Sequence, residues 1–275
     1  MGVNPARTIV SCCARPFQLL VQGLITLGAT VVISPTVIFL SLFGKRESAR
    51  GWVRRWCRVV VGVFQVECSA SGIENLSRTG GCIMVANHSH QFEGPCLLLE
   101  LGFDFDIAIS RRLSMVPLWG QAAVSAGFLV IDRWNGSMAG RRIRRAVASV
   151  RSGRRILFFP EGRRTRSDEM LPFKNGAFRL AVDAQVAVVP IAVIFDRSAG
   201  RGGSLAFSVG EPIPTAGLGR KDIPFLNTRS RVAITAMRES RNRVRSGDAQ
   251  VNLPAVVRPP GSRRDRPGAQ DPAGG

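Results

Sequence analysis

Cys82-Ile83-Met84-Val85-Ala86-Asn87-His88-Ser89-His90-Gln91-Phe92-Glu93 is the stretch on which the fold turns. Five apolar residues run straight into a polar cluster that holds both histidines of the chain. A short run of that kind, partly β-branched and bounded by polar residues, reads as a buried strand with a loop at its end. The pattern recurs at 105–109, 128–131, 156–159, 186–195 and 205–209. Helical stretches fall between these runs at 93–101, 118–126, 138–152 and 173–184, and a last helix is expected over 228–245. Strand–helix alternation predicts an α/β fold, a mixed and largely parallel sheet covered by helices. In such a sheet chemistry collects in the loops at strand ends, where a rigid scaffold positions them.

Working outward, the amino-terminal side carries a different signal. Pro16 to Gly44 is a run of 29 residues without a charge, bounded by Arg15 and Lys45. About 20 apolar residues in a helix cross a bilayer core, so this reads as an N-terminal membrane-embedded segment. Pro35 allows either a kinked span or two short helices that dip in and return. Lys45, Arg46, Arg50, Arg54, Arg55 and Arg58 follow, outnumbering Arg7 and Arg15 ahead of the run. That asymmetry argues against a cleaved leader and places the bulk of the chain on the cytoplasmic face of a plasma or inner membrane. Residues 47–66 read as a basic amphipathic helix, with Trp52, Trp56, Val59, Val60 and Val63 on one broad face and Arg50, Arg54, Arg55 and Arg58 elsewhere. Two placements fit it equally, a membrane interface and a connecting helix packed on the globular part. The expected organisation is a cap at 1–15, the embedded segment at 16–44, the basic connector at 45–72, the α/β domain at 73–237, and a helix end with a disordered basic tail at 238–275.

Composition narrows the partners. The 275 residues are 45% apolar and 21% charged, enough to bury a core. The 38 Lys and Arg against 19 Asp and Glu give a net charge of +19, nearly all of it arginine, which favours anionic partners. Nucleic acid is disfavoured, since aromatics are 7%, tyrosine is absent and no nucleic-acid fold signature is present. Anionic membrane lipid is preferred. Arg141, Arg142, Arg144, Arg145, Arg151, Arg154 and Arg155 crowd the 138–155 region, and a solvated face is the favoured reading of them. The six cysteines form no C-x-x-C pair, so zinc-ribbon and thioredoxin motifs are excluded; Cys82 and Cys96 read as core residues, and a reducing compartment is the default.

Two strand ends carry the candidate chemistry. His88 and Glu93 are five residues apart, and a helix starting near Ser89 would bring both to one side of its first turn. A carboxylate on one ring nitrogen fixes the tautomer and stabilises the ring cation, which leaves the other nitrogen to accept a proton from a hydroxyl. A metal site is the rival, because His88, His90 and Glu93 have ligand-like spacing; the lack of any later histidine weighs against it. The second cluster is Phe159-Pro160-Glu161-Gly162-Arg163-Arg164-Thr165-Arg166. Guanidinium groups beside a glycine turn make an anion pocket, with paired hydrogen bonds to phosphate oxygens.

In these motifs the chain resembles the 1-acylglycerol-3-phosphate acyltransferases, within the glycerophospholipid acyltransferase superfamily. The family's Asn-His-x4-Asp is similar to Asn87-His88 with Glu93 in the acid position. Its second motif resembles Arg111, Pro117-Leu118-Trp119-Gly120 and Ile131-Asp132-Arg133; its third, Phe-Pro-Glu-Gly-Thr-Arg-Ser, resembles Phe159 to Thr165, followed by Pro172-Phe173-Lys174; its fourth is similar to Val189-Pro190-Ile191. The likeness spans about residues 80–214. It implies transfer of an acyl group from an acyl-CoA or acyl carrier protein thioester to the hydroxyl of lysophosphatidate, or of a related glycerol phosphate or lysolipid, in phospholipid biosynthesis. It implies His88 as general base, Glu93 as its orienting partner, and Arg111, Glu161, Gly162 and Arg164 as the acceptor's phosphate site, with Arg163 and Thr165 in the same loop. It implies no metal and no prosthetic group. The alternative is a weak or inactive member acting as a basic lipid-binding membrane protein, because Glu93 departs from the family's aspartate; Arg163, in place of a small hydroxyl residue, adds charge and volume that suit a bulkier or more anionic acceptor.

Overall fold

Strand β2 (Cys82–Ala86) lies at the centre of a seven-stranded sheet and is buried throughout. Its alternation sorts the core. Cys82, Met84 and Ala86 face one cluster, with Cys57, Leu97 and Phe207, while Ile83 and Val85 face the other, with Phe178, Leu180 and Ile234. A strand buried on both faces needs apolar residues at every position, which is what the run 82–86 supplies. The computed structural model describes residues 5–102, 104–131, 136–165 and 169–246, and everything below concerns these. The tail at 247–275, Asp132, Arg133 and Arg166, and the side chains of Cys12, Cys13, Arg141 and Arg142, lie outside the description.

The remaining strands are β1 (Glu67–Ser71), β3 (Phe105–Ser110), β4 (Leu129–Ile131), β5 (Arg155–Phe158), β6 (Val188–Asp196) and β7 (Ser204–Val209). Their order is β1-β7-β6-β2-β5-β3-β4, and all neighbours are parallel except β6 and β7. The mixed, largely parallel sheet read from the sequence is therefore the observed one. Each expected strand is present within two residues of its expected start. β1 was not expected: Glu67-Cys68-Ser69-Ala70-Ser71 has no apolar run, and the segment read as connector. It is an edge strand whose partner, β7, lies far away in sequence (Cys68 opposite Leu205).

Helices α2 (Arg46–Val63) and α4 (Glu93–Glu100) cover one face, and α7 (Gly136–Arg151), α8 (Gly176–Ala184) and α9 (Ile223–Ser246) the other. Short helices α3 (Glu74–Ser77), α5 (Arg111–Ser114) and α6 (Trp119–Ser125) lie in the connections.

The amino-terminal segment forms one helix, α1 (Pro5–Leu42), continuous through Pro16 and Pro35. The dip-and-return reading is corrected. Proline lacks the N–H that would reach the carbonyl four residues back, so Pro35 costs α1 one ladder bond, at Val31, without ending the helix. Residues Pro16–Leu42 are long and apolar enough to cross a membrane, and only 17% of the most apolar window is buried in the protein.

The basic helix α2 is packed, not free. Gln22 Nε2 donates to Val63 O at 2.8 Å and Trp56 Nε1 to Thr30 Oγ1 at 2.9 Å, tying it to α1. Arg50, read as projecting outward, is buried: its guanidinium sits 2.7 Å from Asp106 Oδ1 on β3, which Arg154 also contacts at 2.7 Å. Arg54, Arg55 and Arg58 stay exposed. The arginines of the 138–155 region divide likewise. Arg144 and Arg145 are exposed. Arg151 caps Ala184 O and Arg155 holds Leu76 O. Cys82 is a free core thiol as expected, but Cys96 is disulfide-bonded to Cys68, with Cα atoms 5.9 Å apart. Two cysteines absent from any short motif thus meet only through the β1–α4 packing.

Candidate active site

The loops after β2, β5 and β3 emerge side by side, because these three parallel strands are neighbours in the order β2-β5-β3. They carry His88, the 159–165 segment and Arg111 respectively.

His88 follows the buried Asn87, whose amide takes both backbone groups of Val193 (Nδ2 to O at 2.9 Å, Oδ1 from N at 2.7 Å). That extends the β2–β6 ladder by a side chain and fixes where the loop leaves the sheet. No helix begins at Ser89. Ser89–Phe92 form a tight loop and α4 starts at Glu93 itself. This loop wraps the carboxylate. Glu93 Oε1 accepts from Ser89 N at 2.6 Å, Ser89 Oγ at 2.9 Å and His90 N at 2.6 Å, while Oε2 lies 2.5 Å from His88 Nδ1. Glu93 is wholly buried, so its charge is stabilised only by these donors. The His88 ring stacks on Phe159 at 4.3 Å and borders a cavity between the sheet and helices α1, α2 and α6.

Glu161 faces away from that cavity. It is 3% exposed; Oε1 accepts from His88 N at 2.8 Å and Oε2 from Leu171 N at 3.0 Å. Burial pushes its carboxyl above the ordinary glutamate value, and the two amides pull the other way. It clamps the 88 loop to the 171 segment and does not line the cavity. Thr165 N adds a second tie, donating to His88 O at 3.0 Å. Gly162 turns at φ +75°, a left-handed conformation that favours glycine.

The cavity measures about 690 Å³. Its polar end is formed by His88, Gln91, Gly162, Arg163, Arg164 and Lys174. Its apolar end runs between the sheet and the helical hairpin, past Val53, Trp56, Trp119 and Phe128 to Ile33 and Val37 of α1. Of the expected site residues, His88, Gly162, Arg163 and Arg164 line it, Glu93 stands behind His88, and Thr165 closes the loop through its backbone. Arg111 is exposed at the start of α5; from its loop, Ser110 and Leu113 reach the cavity instead. Sequence reading missed Gln91 and the apolar wall. Gln91 sits between the two histidine-motif positions and accepts from Arg164 at 3.5 Å; the wall had no signal beyond hydrophobicity.

His90 is the other histidine and is not in the cavity. It stacks on Phe195 at 4.0 Å, near Phe92, and burial lowers its pKa below the ordinary histidine value. Among the described residues no three His, Cys, Asp or Glu side chains are grouped to hold a metal ion, so the His88–His90–Glu93 metal reading has no geometric support.

Residues 67–194 match the family described as Acyltransferase. The alpha forms of 1-acyl-sn-glycerol-3-phosphate acyltransferase from Bos taurus and Homo sapiens are both 35% identical, over 204 and 201 residues, and in each case 71% of the relative's length is covered. The chain belongs to the 1-acyl-sn-glycerol-3-phosphate acyltransferase family. A chloroplastic relative from Brassica napus is 28% identical, and the chain spans about half its length (51%). The crystal structure of the Thermotoga maritima 1-acyl-sn-glycerophosphate acyltransferase PlsC shares the fold: the TM-score is 0.59 at 21% identity, covering 82% of this chain and 98% of that one. The expected acyltransferase resemblance is thereby confirmed, and residues 67–194, with strands β1 to β5, most of β6 and the loops that carry His88 and Gly162, are those of the acyltransferase family.

Proposed function

We propose that this acyltransferase-family protein moves a fatty acyl group from an acyl thioester to the free hydroxyl of lysophosphatidate, or of a related glycerol phosphate or lysolipid, at the cytoplasmic face of a membrane. The observation that carries this is the position of His88: Nδ1 is held by buried Glu93, and the ring stands between a cationic end and an apolar end of one cavity. With Nδ1–H directed at the carboxylate, Nε2 is the free base. It takes the proton of the acceptor hydroxyl as that oxygen attacks the thioester carbonyl. The tetrahedral intermediate collapses by breaking the C–S bond, and the imidazolium returns its proton to the leaving thiolate. Glu93 stabilises the ring cation between the two steps.

Arg163, Arg164 and Lys174 supply three cations for a phosphate. Glu93 and Glu161 are both engaged by donors of the loops that hold them. The apolar end suits a hydrocarbon chain. Coenzyme A and acyl carrier protein are both compatible donors; their shared chemistry is the thioester.

The test is thiol release from a long-chain acyl-CoA in detergent, with lysophosphatidate added or omitted, for wild type and His88→Ala. Release that needs the acceptor and disappears in the variant is the expected result. Release equal in both proteins overturns the role of His88, and release independent of acceptor overturns acyl transfer.

A further inference from the structure

Exposed large apolar side chains are concentrated in two places. One is α1 and its end, from Phe17 to Phe43. Outside it, the described residues include seven such side chains, and five of them fall between positions 113 and 124: Leu113, Met115, Val116, Leu118 and Val124. Met115 is 67% exposed. Isolated exposed apolar residues need no explanation, but a contiguous patch on a rigid support does.

The support is rigid. Ser110 Oγ accepts from Leu113 N at 3.3 Å, Ser114 Oγ donates to Arg111 O at 2.7 Å, and Gly120 N donates to Val116 O at 2.8 Å. The turn is closed so tightly that a Cβ on Gly120 would stand 2.3 Å from Ser114 O. Leu118 adopts φ +62°, a conformation that costs a leucine on the order of 1 kcal/mol. The loop thus spends backbone strain to hold an apolar side chain in the open.

We propose that this loop, Arg111 to Trp119 with the first turns of α6, is a second lipid-contacting surface beside α1, and that it seats the cavity mouth on an anionic bilayer. Continuity argues for that occupant. α6 packs on α1 through Ala122 and Ala126 against Ile33 and Val37, so the patch adjoins the helix long and apolar enough to cross a membrane. Charge argues for it too. Arg111 and Arg112 begin the patch, and no carboxylate occurs between Asp106 and Asp132, so the surface is apolar and cationic as an interfacial site requires. Position argues last: Ser110, Leu113 and Trp119 line the cavity while Met115, Val116 and Leu118 face outward from the same turn. A lipid substrate then passes from bilayer to cavity without crossing water. The consequence for turnover rests on the acyltransferase reading; the docking itself does not.

Two measurements on the full chain decide it. In a Cys12→Ser, Cys13→Ser background, Met115→Cys carries an environment-sensitive fluorophore, and the protein is reconstituted into phosphatidylcholine–phosphatidylglycerol vesicles containing spin-labelled lipid. Quenching of about twofold or more is expected at position 115 and none at Val232→Cys, exposed on α9. No quenching at 115 overturns the proposal. So does a probe at 115 that responds to protein concentration instead of lipid, which would mean a second copy covers the patch. Separately, Met115→Asp with Val116→Asp should lower acyl transfer to lysophosphatidate in vesicles about tenfold and leave transfer in detergent micelles within about twofold. Equal losses in both, or no loss in either, overturn the docking role in turnover. If the wild type transfers no acyl group in either medium, the acyltransferase reading fails, and the quenching result still decides docking.

Discussion

Glu93 stands one methylene further from the backbone than the family's aspartate, and the structure shows where that length goes. The 89–92 loop folds around the carboxylate, so that three donors share Oε1 while Oε2 is left for His88. Replacing Glu93 by Gln keeps the shape and removes the charge that stabilises the ring cation; kcat should fall by about a hundredfold or more, with KM little changed. Glu93→Asp should retain activity within about tenfold, since one of four bonds must lengthen, while Glu93→Ala should lose about a thousandfold. Steady-state kinetics on the three variants check this, and an unaffected Glu93→Ala would remove the orienting role.

The second histidine gives a pH prediction. Burial depresses the pKa of His90, so the folded protein binds fewer protons there than the unfolded chain below about pH 6.5. Stability therefore rises with pH through that window. The melting temperature should climb between about pH 5 and about pH 7, and His90→Phe, which keeps the ring stack, should flatten the climb. The raised Glu161 carboxyl acts with the opposite sign, but it is present in both proteins and cancels in the comparison.

At the scale of elements, a buried ion cluster joins the amino-terminal hairpin to the sheet. Asp106 on β3 holds Arg50 of α2 and Arg154 ahead of β5. Removing the shared anion takes from the buried Arg50 guanidinium the carboxylate that it meets at 2.7 Å. Asp106→Ala should cost about 3 kcal/mol, read as a lower denaturation midpoint in detergent. The clamp also holds a wall of the cavity, because Val53 and Trp56 lie one and two turns along the same helix. The turn between α5 and α6 has no such slack: the obstacle to a side chain at Gly120 is backbone, which no rotamer change can relieve. Gly120→Ala should open residues 111–120 to limited proteolysis while the sheet stays folded.

For the molecule as a whole, charge and the apolar helix predict the manner of membrane attachment. An attachment made by +19 of net charge alone weakens steeply with salt, whereas an embedded helix does not. The protein should stay with the membrane fraction through a high-salt and an alkaline wash. Release by salt would show that α1 is not embedded.

The alternation of β and α, the strand ends that carry His88 and the 159–165 loop, and the apolar helix were all legible in the chain, because each depends on periodicity or composition within a short window. Four motifs in order sufficed to place the chain in its family. The rest waited on packing between distant segments. β1 is polar and pairs with a strand more than a hundred residues away, so no local signal marks it. Cys68 and Cys96 meet through that same edge packing. Arg50 looked like an interfacial cation until β3 brought Asp106 beneath it. Glu161 sat in a phosphate motif, yet its oxygens face two amides that only the fold delivers. Short-range pattern specifies elements; which charges are paired, which loops share a clamp and which apolar residues remain uncovered depend on contacts between elements far apart in the chain.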